Sequence, residues 1–235
     1  MKYKRILLKI SGESLMDTTK NCIIDQSFIT NLCQDIAEVH QNGIDICLVI
    51  GGGNICRGST FVGMGIERAN ADYMGMLATI INSLAVQARL ESLGIPTRVQ
   101  SAINMPTIAE PYIRRKAIRH MDKKRVVIFS GGTGNPFFTT DTAAVLRAIE
   151  MHCDVLLKGT QVDGVYSSDP VKNPDATMYT TLSHSEALSK GLKVMDTAAI
   201  ALADDNSLPI IVFNIHQPKG LIQVLNNKCK FSLIK

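Results

Sequence analysis

Short apolar runs alternate with longer amphipathic stretches along the chain. Arg5–Ile10 and residues 44–50 are apolar almost from end to end, which predicts strands buried on both faces. Between them, apolar residues recur at helical spacing over 28–39, and Gly43 is placed to end that helix. Strands of this kind, each followed by a helix, predict a parallel sheet with helices on both sides.

The alternation continues to the end of the chain, with no internal repeat and no linker-like segment. Ser183 and Glu186 form a capping-box pattern at one helix start, and the stretch 159–181 is expected to be a long functional loop. We therefore expect one α/β domain over residues 1–235. Further helices are expected over 71–93, 113–121, 140–151, 194–205 and 220–225, and further strands over 125–129, 154–157, 209–213 and 229–234.

Composition narrows the class of protein only slightly. The chain has 235 residues, of which 46% are hydrophobic and 20% charged, so it is neither disordered, collagen-like nor a whole-chain coiled coil. There is no Trp, aromatic residues make up 5%, and no basic cluster is interleaved with them. We therefore expect no nucleic-acid partner. The net charge of +4 suits a protein that binds anionic small molecules.

Cysteine placement and the apolar runs bear on the compartment. The six cysteines form no CxxC pair and have no His partner at metal spacing, so we expect reduced, buried thiols and no protein-ligated metal. Lys9 interrupts the first apolar stretch too early for a signal peptide. The longest uncharged run, 73–88, contains polar residues and is too short for a membrane span. A cytoplasmic protein without membrane contact is expected.

Four junctions that follow predicted strands carry glycines or polar groups, and open parallel sheets bind ligands at such strand ends. In the first, Lys9 offers a fixed cation, and Ser11 and Gly12 offer backbone N–H donors to a phosphate. The alternative is a solvated lysine at a strand end. In the second, the triple glycine 51–53 allows close backbone approach and positive φ values, as in an anion nest, and Arg57 adds a forked donor. The alternative there is a flexible turn.

The third junction, over 130–142, places Thr139, Thr140 and Asp141 at a helix start. Free N–H groups and hydroxyls at that position suit a phosphate or a pyrimidine edge, unless Asp141 serves only the helix dipole. The fourth junction, over 158–170, groups a hydroxyl, a ring and a carboxylate that suit a nucleoside, unless it is an ordinary Asp-Gly turn. Asp72 lies in an apolar helical run, either to bind ribose hydroxyls or on the exposed face of that helix.

Together these segments resemble the amino acid kinase family, in its branch of bacterial nucleotide kinases, over residues 4–216. The Thr-Gly-Asn-Pro-Phe-Phe-Thr-Thr-Asp run at 133–141 is the most specific part of the resemblance. The other matching segments are 9–13, 51–54, 57–58, 72–79, 162–166, 169–170 and 194–196.

The resemblance implies a three-layer α/β/α sandwich with a mainly parallel open sheet. It also implies transfer of the γ-phosphoryl group of ATP to UMP, with Mg²⁺, in pyrimidine nucleotide synthesis, by a homohexamer that is regulated allosterically and inhibited by UTP. Lys9, Arg57 and Asp141 would be catalytic, with Asp141 orienting the lysine. ATP would contact Lys9, Ile10, Ser11, Gly12, Gly53, Arg57, Thr160, Tyr166 and Asp169. UMP would contact Gly52, Asp72, Thr133, Gly134, Asn135, Pro136, Phe137, Phe138, Thr139 and Thr140.

The residue chemistry agrees with phosphoryl transfer, which needs two anions held close under positive charge more than it needs a nucleophilic side chain. Lys9, Arg57 and the glycine-loop N–H groups supply such charge. Two alternatives remain at this stage. One is a kinase of the same fold that acts on a carboxylate or carbamate, and the other is a nucleotide sensor without turnover.

Overall fold

A nine-stranded sheet forms the centre of the protein, whose computed structural model describes residues 2–17, 22–56, 61, 63–192 and 194–235. The strands are β1 (Arg5–Ile10), β2 (Asp45–Ile50), β3 (Thr97–Ser101), β4 (Glu110–Pro111), β5 (Val126–Ser130), β6 (Val155–Thr160), β9 (Thr181–Leu182), β10 (Ile210–Asn214) and β11 (Ser232–Ile234), with a separate antiparallel pair of β7 (Val165–Tyr166) and β8 (Met178–Tyr179). The order across the sheet is β4-β3-β5-β2-β1-β6-β10-β11-β9. All neighbouring strands of this sheet are parallel except β10 and β11.

Helices follow most of the parallel strands, as the apolar spacing predicts. The first helix begins where the Asp25 carboxylate accepts the Ser27 N–H at 2.8 Å, and it ends before Gly43, whose φ is +88°. The predicted capping box of Ser183 and Glu186 is confirmed. The helices are α1 (Gln26–Gln41), α2 (Arg68–Ser92), α3 (Arg114–Asp122), α4 (Thr140–Glu150), α5 (His184–Ser189), α6 (Thr197–Asp205) and α7 (Gly220–Leu225).

The two faces of the sheet each carry a hydrophobic core. Along β1, Ile6, Leu8 and Ile10 point to the core shared with α1, α2 and α7, whereas Leu7 points to the core shared with α3 to α6. Because side chains alternate along a strand, a strand buried on both faces must be apolar throughout, which explains the continuous runs. The predicted three-layer α/β/α arrangement is confirmed.

The structure departs from the predicted elements mainly in short pieces. The expected loop over 159–181 contains the β7–β8 pair, and α6 begins at Thr197 rather than 194 because Asp196 caps it through the Ala199 N–H at 2.9 Å. The strands β4 and β9 have two residues each, too few for any hydrophobic period to show.

The cysteines and the apolar helices can be compared with expectation. All six thiols are free, which agrees with the predicted reduced state, but Cys22 is exposed and Cys229 half-buried, so burial was predicted wrongly for these two. Within the described part of the chain, no helix combines the length and the apolar character needed to cross a bilayer.

Candidate active site

Two lysines lie side by side at the carboxyl ends of the central strands. The parallel register of β1 and β6 pairs Lys9 with Lys158, and both strands direct these side chains toward the α4 side of the sheet, the face shared by Leu7 and Leu156. Lys9 is only 6% exposed. Two ammonium groups this close on neighbouring strands repel each other, and a carboxylate between them would offset that repulsion.

Asp141, in the first turn of α4, is that anion. Its Oδ1 lies 2.6 Å from Lys9 Nζ, and its Oδ2 lies 2.8 Å from Lys158 Nζ. Burial raises the pKa of the Asp141 carboxyl, but the two ammonium groups outweigh burial and hold that pKa below its usual value. Burial lowers the pKa of Lys158; Asp141 opposes this change and the Lys9 charge adds to it. One carboxylate thus orients two cations.

Asp196 holds the start of α4 from the other side. It accepts hydrogen bonds from the hydroxyls of Thr139 and Thr142, the latter at 2.8 Å, while it also caps α6. Lys158 in turn donates to the carbonyl of Val194, which precedes Asp196 by two residues. The segment 194–196 therefore fixes both the helix that carries Asp141 and the second lysine.

Glycines bring the loops after β1 and β2 into direct contact. A Cβ atom at Gly12 would lie 2.5 Å from the Gly53 amide nitrogen, and one at Gly52 would lie 2.7 Å from the Gly75 carbonyl oxygen on α2. The predicted close approach of backbones is confirmed. The predicted positive φ values at Gly51–Gly53 are wrong, because none of the three adopts one. These glycines provide space for packed backbone rather than an inverted turn.

The glycines of the third junction do adopt the left-handed conformation. Gly131, Gly132 and Gly134 have φ between +60° and +82°. The expectation of free N–H groups at the start of α4 is corrected, because Thr139 Oγ1 accepts the N–H groups of Asp141 and Thr142 at 3.0 and 3.4 Å. A ligand in this region meets hydroxyl groups and the glycine turn, while those two amides are already satisfied.

The same loop contains a non-glycine residue in the left-handed region. Phe137 has φ +72°, a conformation that costs an ordinary residue about 1–2 kcal/mol. Its N–H donates to Asp72 Oδ2 at 2.8 Å, so a side chain on α2 holds the strained residue. The rings of Phe137 and Phe138 are 68% and 52% exposed, which leaves both free to pack on a ligand.

A cavity of about 400 Å³ opens between the second and third junctions. The predicted residues Gly52, Asp72, Phe138, Thr139 and Thr140 line it, which places Asp72 in the site rather than on a solvated helix face. Gly53, expected on the ATP side, lines this cavity as well. Among the remaining predicted residues of the loop, Thr133 and Asn135 bond to each other, Thr133 Oγ1 lying 3.2 Å from both the amide nitrogen and the carbonyl oxygen of Asn135.

A second cavity of about 450 Å³ lies beside the β7–β8 pair. Thr160, Tyr166 and Asp169, predicted around a nucleoside, all line it, and so does Val194. The lysine–carboxylate cluster is linked to residues of both cavities, because Asp141 follows Thr139 and Thr140 of the first, and Lys158 donates to the carbonyl of Val194 in the second.

Of the three residues expected to be catalytic, Arg57 lies outside the described residues. The structure also brings Lys158 and Asp196 into the site. No pattern in the sequence assigns a role to Lys158 or Asp196; the only signals are a lysine in a buried run and the position of Asp196 within a matching segment. Within the residues that the structure covers, no three His, Cys, Asp or Glu side chains are grouped as metal ligands.

This fold and this site are typical of a phosphotransferase, because two cavities adjoin a pair of lysines that share one carboxylate. The chain belongs to the amino acid kinase family, whose model matches residues 4–214. A uridylate kinase of Rickettsia typhi is 57% identical over 235 residues, which cover all of this chain and 96% of that protein. The chain is thus similar to nucleoside monophosphate kinases along its whole length.

Solved structures agree with the sequence relatives. The UMP kinase of Ureaplasma parvum superposes with a TM-score of 0.95 at 39% identity, covering 100% of both chains. The UMP kinase of Bacillus anthracis superposes with a TM-score of 0.93 at 42% identity, covering 99% of this chain and 96% of that one.

Proposed function

We propose that the protein transfers the γ-phosphoryl group of ATP to UMP, which yields UDP and ADP. The observation that carries this proposal is the Lys9–Asp141–Lys158 cluster next to two cavities. One cavity is lined by five of the residues expected for UMP together with Gly53 of the ATP set, and the other by three of the residues expected for ATP. The full-length similarity to uridylate kinases supports the same substrate pair.

The chemistry required of the protein is positioning and charge. A phosphate oxygen of UMP forms the new bond to the γ-phosphorus as the bond to the β-bridging oxygen breaks, and negative charge spreads over the transferred group. Lys9 and Lys158 offset that charge, and Asp141 holds both ammonium groups in place before the substrates arrive. Since the attacking oxygen is already ionised near neutral pH, no histidine base is needed.

We assign the first cavity to UMP and the second to ATP. Asp72 and the 133–140 loop would hold the acceptor nucleoside, with Gly52 close to its phosphate. Thr160, Tyr166 and Asp169 would surround adenosine, while Lys9, Ile10, Ser11, Gly12 and Gly53 would extend toward the ATP phosphates. Arg57 is assigned a phosphate contact from the family resemblance alone.

A magnesium ion would be held mainly by the nucleotide phosphates. Both oxygens of Asp141 contact lysines, and the Asp196 carboxylate is engaged by two hydroxyls and an amide, so neither carboxylate offers a ready ligand. This donor set fits an ion that enters with ATP and keeps several waters. When bound, Mg²⁺ neutralises phosphate charge.

A substrate panel tests the reaction. ADP formation is measured with ATP and UMP, CMP, AMP or acetylglutamate as acceptor. We expect turnover with UMP well above the others. Turnover with acetylglutamate alone would favour a carboxylate kinase of the same fold, and saturable UMP binding with no turnover would favour a nucleotide sensor. Neither alternative is favoured by the relatives.

The Asp72→Ala variant tests the assignment of the first cavity. Because Asp72 lines that cavity and also holds Phe137, we expect the KM for UMP to rise by about tenfold or more, with little change in the KM for ATP. Initial rates with each nucleotide varied in turn give both constants. A rise in the KM for ATP alone would show that the assignment of Asp72 to UMP is wrong.

We further propose that the chain acts as a single domain over residues 1–235 and assembles into a homohexamer. This enzyme would work in the cytoplasm, in pyrimidine nucleotide synthesis, and would be inhibited by UTP. The support for self-association is an exposed apolar stripe along α2, formed by Tyr73, Met74, Leu77 and Ile81. The support for one domain is that loops following strands of a single sheet line both cavities.

A further inference from the structure

Arg68, on the first turn of α2, contacts two parts of the acceptor site without lining its cavity. Its Nε lies 3.0 Å from Asp72 Oδ1 and 3.0 Å from Asp72 Oδ2, so a single N–H spans both oxygens of the carboxylate. Its guanidinium carbon lies 5.8 Å from the centre of the Phe137 ring. Arg68 therefore contacts both residues that the Asp72–Phe137 hydrogen bond joins.

This arrangement differs from an ordinary surface ion pair. The Arg68 side chain is 54% exposed, whereas the Asp72 side chain is only 15% exposed. An exposed i, i+4 pair alone changes an equilibrium constant by only about twofold. The Asp72 carboxylate also makes a second contact, because its Oδ2 accepts a hydrogen bond from the N–H of Phe137, a residue in the strained left-handed region. Rotation of the Asp72 carboxylate would release Phe137 and change the wall of the cavity.

We infer that Arg68 is a positioning residue for the acceptor nucleotide: it fixes the Asp72 carboxylate on the Phe137 amide, and so holds α2 and the 133–139 loop in the arrangement that receives the nucleoside. This inference rests on the proposed function, since it assigns Arg68 to the UMP side of the reaction. The expected consequence is a preorganised UMP site, with no direct part in phosphoryl transfer.

The test is a KM-against-kcat comparison in Arg68→Ala, Arg68→Lys and Arg68→Gln. For Arg68→Ala we expect the KM for UMP to rise about tenfold, with kcat and the KM for ATP within about twofold of wild type. Arg68→Lys should recover part of the loss, because its ammonium reaches the same carboxylate. Arg68→Gln keeps the side-chain stem and removes the charge, so it supplies the measurement if the alanine variant does not fold.

A double-mutant cycle with Asp72→Ala separates positioning from direct contact. If Arg68 acts through Asp72, adding Arg68→Ala to Asp72→Ala changes the KM for UMP no further. An equal rise in both backgrounds would overturn the inference, since Arg68 would then act independently. Arg115→Ala, which removes another exposed helical arginine, is the matched control and should leave both KM values unchanged.

Wild-type turnover is measured in the same assay. Absence of wild-type activity with UMP would count against the proposed function. Normal wild-type activity together with an unchanged KM for UMP in Arg68→Ala and Arg68→Gln would overturn the role of Arg68 and leave the proposed function intact.

Discussion

At the scale of single residues, the site depends on which charges share a buried carboxylate. Lys9 and Lys158 are adjacent because β1 and β6 are parallel neighbours, and Asp141 reaches both because α4 begins above them. Removing Asp141 leaves two like charges facing each other without a counterion, which costs more than an ion pair contributes, whereas removing either lysine leaves a one-to-one pair. The three side chains should therefore behave as a unit in mutagenesis.

Lys9→Ala removes one of the two cations at the proposed reaction centre. We expect kcat to fall by on the order of 10²-fold or more, because a preorganised charge on the transferred group is lost. Steady-state rates at saturating ATP and UMP measure the effect, with circular dichroism to confirm folding. Lys228→Ala, at an exposed position, is the control. A near-normal kcat in Lys9→Ala would remove Lys9 from the chemistry.

Single-residue predictions from the sequence name residues that a motif contains and miss those that only the fold brings in. Gly52, Asp72 and Thr140, which are predicted to contact UMP, line the first cavity. The sequence assigns no role to Lys158, because a lysine inside an apolar run looks the same whether it is solvated at a strand end or held against a carboxylate. Its register opposite Lys9 decides between the two.

At the scale of elements, the glycine junctions work by allowing backbones to touch. The loop after β1 packs on the loop after β2 at Gly12 and Gly53, and the loop after β2 packs on α2 at Gly52. These contacts explain the glycines at 12, 51 and 52, where a side chain would have no space. The glycines of the third junction are needed for a different reason, because they adopt a positive φ.

Gly12→Ala tests this packing. The added methyl group would meet the Gly53 amide and the Gly51 carbonyl oxygen at 2.5 and 2.7 Å, both of them backbone atoms. We expect the free energy of unfolding to fall by at least about 2 kcal/mol, measured by urea denaturation. Gly63→Ala, where the methyl group would meet open space, should be nearly neutral. Equal stability of the two variants would contradict close backbone contact at Gly12.

The edge strand β4 is tied to α3 by Glu110, which contacts Lys116 Nζ and His120 Nε2 at 2.9 Å each. Burial raises the pKa of Glu110, but hydrogen bonds from Lys116, His120 and Gln100 outweigh it and lower the pKa to about 2. A carboxyl with a lowered folded-state pKa stabilises the fold above its unfolded pKa, near 4.5, and loses that contribution as the pH falls toward 2.

Glu110→Gln should therefore be less stable than wild type by on the order of 1 kcal/mol at neutral pH. The difference should shrink between pH 4.5 and 2, the window set by the two pKa values. Urea denaturation of both proteins across that range measures it. Asp205→Asn, at an exposed position, controls for loss of one negative charge. A difference that does not depend on pH would mean that Glu110 is not held ionised by its neighbours.

At the scale of the whole molecule, both cavities lie where loops follow the carboxyl ends of the parallel strands. A helix beside the first cavity, α2, leaves apolar side chains in solvent. Tyr73, Leu77 and Ile81 recur every fourth residue on α2 and are 45–51% exposed. A continuous stripe of this kind is typical of a surface that a second protein chain covers. Since Asp72 and Met76 on the same helix line the first cavity, association and UMP binding would share α2.

Leu77→Glu and Ile81→Glu place a charge in that stripe. We expect either change to lower the molar mass measured by light scattering, because a buried unpaired carboxylate opposes association. Val171→Glu, which alters an apolar side chain that is 85% exposed elsewhere, should keep the wild-type mass. A wild-type monomer, or an assembly that both variants preserve, would show that this face is not the interface.

The sequence by itself determined the α/β class, most helices and parallel strands, and the residues of the four junctions. Those features depend on local periodicity and on glycine placement, which a single chain displays directly. Only the tertiary structure decided the pairing of Lys9 with Lys158, the capping of α4 by Thr139, and the link from Arg68 through Asp72 to Phe137. The lysine pairing depends on strand register and the Asp72–Phe137 contact on loop conformation, and neither leaves a local pattern in the sequence. The spacing of Arg68 and Asp72 and the place of Thr139 before α4 permit their contacts without requiring them.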